Sequence, residues 1–117
     1  MNYYKEHEKL LRNWLLNAQK KFPNAMFFKR DVGMFLTQNG RPIKIGINGQ
    51  ADVYGFIPYG YHTLWCEIEF KTLKAKQTKD QKKWEQNVSL KNGLYVVVRD
   101  CEQFAEIEDA LNEKRLL

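Results

Sequence analysis

The chain has 117 residues, 44% hydrophobic and 28% charged, which suits one globular domain over residues 1–117 and leaves no room for a second. Nineteen basic against fourteen acidic residues give a net charge of +5, a balance that favours an acidic partner without identifying it. Cys66 and Cys101 are too isolated for a disulfide framework or a structural zinc site, and no run reaches membrane-span length, so a cytoplasmic protein with reduced thiols and no membrane partner is expected.

Tyr3, His7, Leu10, Leu11, Trp14, Leu15 and Ala18 recur at helical spacing, which predicts an amphipathic helix ending near Phe22-Pro23. His7 lies in the apolar stripe and is expected to be a core or boundary histidine. Glu6 and Glu8 flank the stripe and read as solvated acids. From Ala25 to Leu36 the apolar enrichment predicts two short strands, or one strand bent at Gly33. Asn39-Gly40 and Asn48-Gly49 are turn signals on either side of the alternating run Ile43, Ile45, Ile47. The glycines are dispersed, and without a Walker-type loop no nucleotide cofactor is expected.

Ala51 to Ile57 and His62 to Lys71 read as two strands joined by a turn near residue 60, so paired residues should sum to about 120. That register sets Asp52 opposite residues 67 to 69. Strand alternation gives Trp65, Glu67, Glu69 and Lys71 one face and Leu64, Cys66, Ile68 and Phe70 the other. Carboxylates meeting on one face repel unless a cation or a lysine accompanies them. Six lysines and one acid follow between Lys71 and Lys83. Thr78 and Gln81 form a capping-box pattern opening a helix that carries Gln77, Gln81, Trp84 and Val88 inward and ends at Asn92-Gly93. Leu94 to Val98 suits an interior strand reached by a crossover. Asp100 and Gln103 repeat the capping-box pattern before a last helix, and the tail Lys114-Arg115-Leu116-Leu117 is expected to fray or to serve self-association.

Asp and Glu are the hard oxygen donors that hold Mg²⁺ or Mn²⁺, and phosphodiester hydrolysis needs such a cation and an oriented water. Asp52 and Glu69 are the expected metal ligands, with the backbone carbonyl of Phe70 as a third. Lys71 lies on the same face as Glu69, placed to orient the attacking water or to stabilise the transition state. Gln81 is placed to hold that water or Lys71. Glu67 is left with three roles: direct ligand, ligand through water, or partner of a lysine. Lys74, Lys76, Lys79, Lys82 and Lys83 are expected phosphate contacts, with Arg30, Arg41 and Lys44 beside turns as further DNA-binding positions.

Gly49-Gln50-Ala51-Asp52-Val53-Tyr54-Gly55, Cys66-Glu67-Ile68-Glu69-Phe70-Lys71-Thr72, Gln81-Lys82-Lys83-Trp84 and Asn92-Gly93-Leu94-Tyr95-Val96-Val97-Val98-Arg99, in that order and spacing, resemble the virus-type replication-repair nuclease (VRR-NUC) domain of the PD-(D/E)xK superfamily. The resemblance implies a restriction-endonuclease-like α/β core, a mixed β-sheet flanked by helices in the order α-β-β-β-β-α-β-α. It implies metal binding by Asp52 and Glu69, catalysis by Lys71, support by Gln81, and a first-helix glutamate near the site, Glu6 before Glu8. It further implies a phage-type, dimeric endonuclease acting in the host cytoplasm on branched or flapped DNA during replication, recombination or repair. Ala51 stands where the family often has proline, and Leu73-Lys74-Ala75-Lys76 lacks the family's loop glycine. A non-catalytic DNA-binding or assembly module, and an RNA-directed enzyme, are the competing expectations.

Overall fold

The computed structural model describes residues 3–31, 33–72 and 74–115. The first helix, α1 (Tyr3–Lys21), buries Leu11, Trp14 and Ala18 along one stripe and stops where proline forbids another turn. Four strands form a mixed sheet in the order β1 (Met26–Lys29), β4 (Val53–Tyr59), β5 (His62–Phe70) and β6 (Leu94–Val98). β1 and β4 are antiparallel, as are β4 and β5, whereas β5 and β6 are parallel. The parallel pair is joined through α2 (Lys79–Leu90), the crossover expected between those strands.

The period of two in β5 divides the core. Leu64, Cys66, Ile68 and Phe70 face α1 and α3 (Ala105–Arg115), joining Val53, Ile57, Val96, Val98, Phe104 and Ile107. Trp14 sits at the centre of this layer with no exposed surface, its ring against Phe27, Phe70 and Phe104 at 5.4, 5.6 and 5.4 Å. Its indole N–H donates to the carbonyl of Gln103 at 3.0 Å, which satisfies the one polar atom of a buried ring. Each large side chain buried there stabilises the fold by about 1.5–3 kcal/mol. On the opposite face Ala51 and Tyr95 are buried with Val88 of α2, and Trp65, Trp84 and Val97 pack against them.

Capping chemistry fixes α2 at both ends. The Thr78 hydroxyl accepts from the Gln81 backbone N–H and the Gln81 side chain accepts from the Thr78 N–H, the reciprocal box the sequence predicts. At the far end Asn92 takes the left-handed conformation (φ 64°). Gly93 follows because a Cβ there would meet Trp65 at 2.7 Å and Val88 at 2.8 Å.

Two expectations change. Among the described residues five strands precede α2 instead of four, because β2 (Gly33–Leu36) and β3 (Pro42–Ile45) pair only with each other, in a separate hairpin. The sheet loses the chain after Lys29, where the Arg30 N–H donates to the Asp52 carbonyl and its side chain turns inward. Met34, Leu36, Ile43 and Ile45 consequently stay exposed. The second capping box does not form. Asp100 accepts from the Glu102 N–H, while the Gln103 amide accepts from Arg99 N–H and donates to Val97 O, closing a turn before α3 begins at Ala105.

Lys114 and Arg115 continue α3, while Leu116 and Leu117 of the expected frayed tail lie outside the described residues, as do Val32 and Leu73. Among the described residues no helix is long and apolar enough to cross a membrane.

Candidate active site

The β4–β5 register pairs Val53 with Ile68, which carries Asp52 to a position opposite Glu69, one residue beyond the paired end of β4. There the Asp52 carboxylate takes over from the backbone ladder: its Oδ2 accepts from the Phe70 N–H at 2.9 Å. The same oxygen lies 3.2 Å from His7 Nε2 of α1, and that nitrogen lies 3.0 Å from the Phe70 carbonyl oxygen. Asp52, Phe70 and His7 therefore converge on one point at the end of the sheet.

Glu69 is 4% exposed. Its Oε1 accepts from Gln81 Nε2 at 2.8 Å and stands 3.9 Å from the Lys71 ammonium. Among the described residues its Oε2 is buried without a hydrogen-bond partner, a costly condition for a carboxylate oxygen. Burial, then the negative charge of Asp52, push this carboxyl up to about 8, and the Lys71 ammonium pulls it only part of the way back. A divalent cation at Oε2 would remove both causes at once.

Lys71 is itself buried, its backbone N–H donating to Val98 O at 3.0 Å as β5 leaves the sheet. Gln81 reaches Glu69 because it is the third residue of a capped helix, and the cap holds its amide oxygen while the amide nitrogen points at the carboxylate. Gly49 permits this approach. It has φ +87°, and a Cβ there would fall on the Asp80 carbonyl at the start of α2. Gln81 thus holds Glu69, whereas the sequence had placed it on a water or on Lys71. Beyond Lys71 the glycine-free loop is closed by Ala75 N–H to Thr72 O, and the Arg99 guanidinium donates to Ala75 O at 2.8 Å.

His7, Asp52, Glu69, Phe70 and Lys71 line a cavity of about 390 Å³, with Glu8, Lys29, Arg30, Asp31 and Phe35 around it. Phe35 comes from the hairpin, and nothing in the alternation of its strand marks it for this place.

Glu67 leaves the list of metal ligands. It is fully buried, and its two oxygens accept a bidentate pair of bonds from Arg30 together with the indole N–H groups of Trp65 and Trp84. Of its three expected roles only pairing with a cation remains, and the cation is an arginine instead of a lysine. Arg30 is corrected with it. Its guanidinium also donates to Ala51 O and lies over the Tyr54 ring at 4.5 Å, so its donors are committed within the fold and not offered to phosphate. The pair fixes Ala51, and with it Asp52, against β5.

Of the two expected first-helix acids, Glu8 lines this cavity with Asp52 and Glu69, whereas Glu6 does not. Glu6 is exposed beside Asn13 and Thr72, and Glu8 holds the Lys29 ammonium at 3.3 Å. His7, read as a core or boundary residue, is the side chain of α1 that contacts Asp52 directly. The available signal was a polar ring on an apolar stripe, which needs a partner once buried.

Lys74, Lys76, Lys79, Lys82 and Lys83 are exposed, as are Arg41 and Lys44 on the hairpin. Lys82 and Lys83 point outward while Trp84 turns in, the phasing expected of α2.

Among the described residues no three His, Cys, Asp or Glu side chains converge tightly enough to make a metal centre by themselves. The donors that fit a hard cation are two carboxylates, one of them with an unpartnered buried oxygen, and one carbonyl, a set that water completes for Mg²⁺ or Mn²⁺. No protein-family model, no curated protein and no solved structure matches the chain.

Proposed function

We propose that the protein is a Mg²⁺- or Mn²⁺-dependent nuclease with a restriction-endonuclease-like core, hydrolysing phosphodiester bonds at the cavity around Asp52, Glu69 and Lys71. The observation that carries this reading is the unpartnered, buried Oε2 of Glu69 beside Asp52 and an ammonium group. An acid is kept there against desolvation and like charge, and a cation is what relieves both.

Asp52, Glu69 and the Phe70 carbonyl would hold the cation, which supplies Lewis-acid stabilisation of the phosphate and lowers the pKa of a bound water. The chain's own groups do the remaining work. Lys71 places a positive charge where negative charge develops on the phosphoryl oxygens and orients the water that attacks phosphorus. The water oxygen bonds to phosphorus and gives up a proton to solvent, the bond to the leaving oxygen breaks, and that oxygen takes a proton from solvent. Gln81 acts through Glu69, holding its Oε1 in place. Exposed lysines on and before α2 supply phosphate contacts that position a strand without reading its sequence.

Branched DNA as substrate and a pair of copies as the working unit follow from the resemblance to VRR-NUC domains. The test is cleavage of four-way junction, flap and linear duplex DNA with Mg²⁺ or Mn²⁺, by the wild type and by Asp52→Ala and Lys71→Ala. Loss of cleavage in both folded variants is expected. Full activity in both would overturn the assignment, and binding that ignores both metal and Asp52 would point to a non-catalytic module. Cleavage of RNA in preference to every DNA substrate would move the enzyme to another class.

A further inference from the structure

A row of stacked planar groups crosses the sheet and stops at its edge with one face open. The register aligns Glu67, Tyr54 and Phe28 across β5, β4 and β1, on the face where Trp65 and Tyr95 meet α2. The Arg30 guanidinium, held by Glu67, lies over the Tyr54 ring at 4.5 Å. Tyr54 in turn stacks on Phe28, with 5.1 Å between ring centres and 24° between their planes. β1 is the edge strand, and Phe28 ends the row 42% exposed. In the neighbouring row Phe56 aligns with Met26, which is 57% exposed.

We infer that Phe28, backed by Tyr54 and Arg30, is a stacking platform for an unpaired base of a DNA strand whose backbone enters the cavity around Asp52. This rests on the nuclease reading above and adds to it how the strand beside the scissile bond is held.

Each layer behind Phe28 is fixed before a ligand arrives. Glu67 is fully buried and takes both Arg30 bonds, and Phe56 stands edge-on to Tyr54 at 6.2 Å. A platform already ordered loses little freedom on binding and keeps more of the stacking energy. Every base has a π-face, so such a ring holds a strand without reading its sequence, and rings on an open sheet face hold bases in this way. The position suits a strand bound at the site. Lys29 and Arg30, which follow Phe28, line the cavity. Tyr54 is two residues beyond Asp52, about 7 Å along β4, the reach of roughly two stacked nucleotides at about 3.4 Å each. The net charge of +5 attracts the backbone as well. A second copy of the chain is the poorer occupant, because Phe28 and Met26 expose two side chains at this edge. A stable protein interface takes about 800 Å² and roughly 20 residues from each partner.

The test reads binding without cleavage. In a chelator, wild type, Phe28→Ala and Phe28→Trp are titrated into labelled oligothymidine and into an abasic strand of the same length and charge, and fluorescence anisotropy is followed. Wild type should bind oligothymidine on the order of tenfold more tightly than the abasic strand. F28A should bind both strands as wild type binds the abasic one. F28W keeps an aromatic face and should keep the preference.

Equal binding of the two strands by wild type, in a protein that cleaves DNA, overturns the platform and leaves the nuclease reading standing. A base preference that F28A abolishes, in a protein that cleaves no DNA with Mg²⁺ or Mn²⁺, supports the platform and overturns the nuclease reading. No binding of either strand overturns both. A wild-type dimer that F28A separates in sedimentation, with the base preference intact, makes this edge a contact between copies and overturns the inference. If F28A does not fold, wild type and F28W decide alone, and a preference lost in F28W overturns it.

Discussion

Gln81 donates from its side-chain amide to Glu69 at 2.8 Å while the same amide caps the helix it belongs to. One residue thus ties the start of α2 to the end of β5, and the N-terminal geometry of a helix becomes part of the site. Gln81→Ala removes both functions. It should lower stability by about 1 kcal/mol, as loss of a cap does, and weaken divalent-cation binding 10- to 100-fold through the freed Glu69. Denaturant unfolding and calorimetric titration with Mn²⁺ check the two effects separately; unchanged cation affinity would show that Glu69 needs no support.

The raised Glu69 carboxyl predicts how the metal-free protein responds to pH. The folded state holds this proton up to about 8, against an ordinary value of 4.5, so folding favours the protonated form. Its stabilising contribution is complete below the ordinary value and is lost as pH rises through 8, at about 1.4 kcal/mol per unit of pH in between. In a chelator, wild type should therefore lose stability relative to Glu69→Gln from pH 5 to pH 8. Mg²⁺ or Mn²⁺ added at pH 8 should restore wild type and leave E69Q unmoved, as measured by urea midpoints.

Arg30 and Glu67 make a buried pair in which neither charge can be removed alone. Arg30→Ala should cost about 3–5 kcal/mol, because it leaves a fully buried carboxylate with only two indole donors. The salt dependence of DNA binding should be unaffected by that change. Lys82→Ala and Lys83→Ala should do the opposite, sparing stability and each reducing the salt slope by about 1. A reduced slope in a folded Arg30 variant would return Arg30 to the phosphate contacts.

The two thiols should differ in reactivity. Burial, then the neighbouring Glu67 charge, push the Cys66 thiol up to about 12, which keeps it protonated and inert. Cys101 is only half-buried. A thiol reagent should label one site in the native protein, at Cys101, and the second only on unfolding. Rapid labelling at Cys66 would mean that the sheet opens.

Much of the site could be read from β5 alone. Period-two alternation separated Glu67, Glu69 and Lys71 from Cys66, Ile68 and Phe70, and hairpin arithmetic placed Asp52 opposite Glu69 within one residue. The capping box at Thr78 and Gln81 was equally legible, because a cap is a local pattern. What sequence could not show was choice among partners. Glu67 found Arg30 because the chain leaves the sheet after Lys29, a tertiary event with no local signature. His7 and the glutamates beside it differ only in helical phase, about 100° per residue, and phase at a helix end decides which one reaches Asp52. The strands of the β2–β3 hairpin were legible but their separation from the main sheet was not, because alternation reports that a strand exists and not whether its apolar side is covered.

The most direct test of the central claim is the rate of Mn²⁺-dependent phosphodiester cleavage by wild type and by Glu69→Gln, on a substrate that wild type cuts. The amide keeps the shape of Glu69 and removes its charge, so the fold should persist while metal-dependent cleavage falls by at least a factor of about 10², the scale of losing one group that stabilises transition-state charge. Cleavage by E69Q at the wild-type rate, with the same metal dependence, would contradict the account.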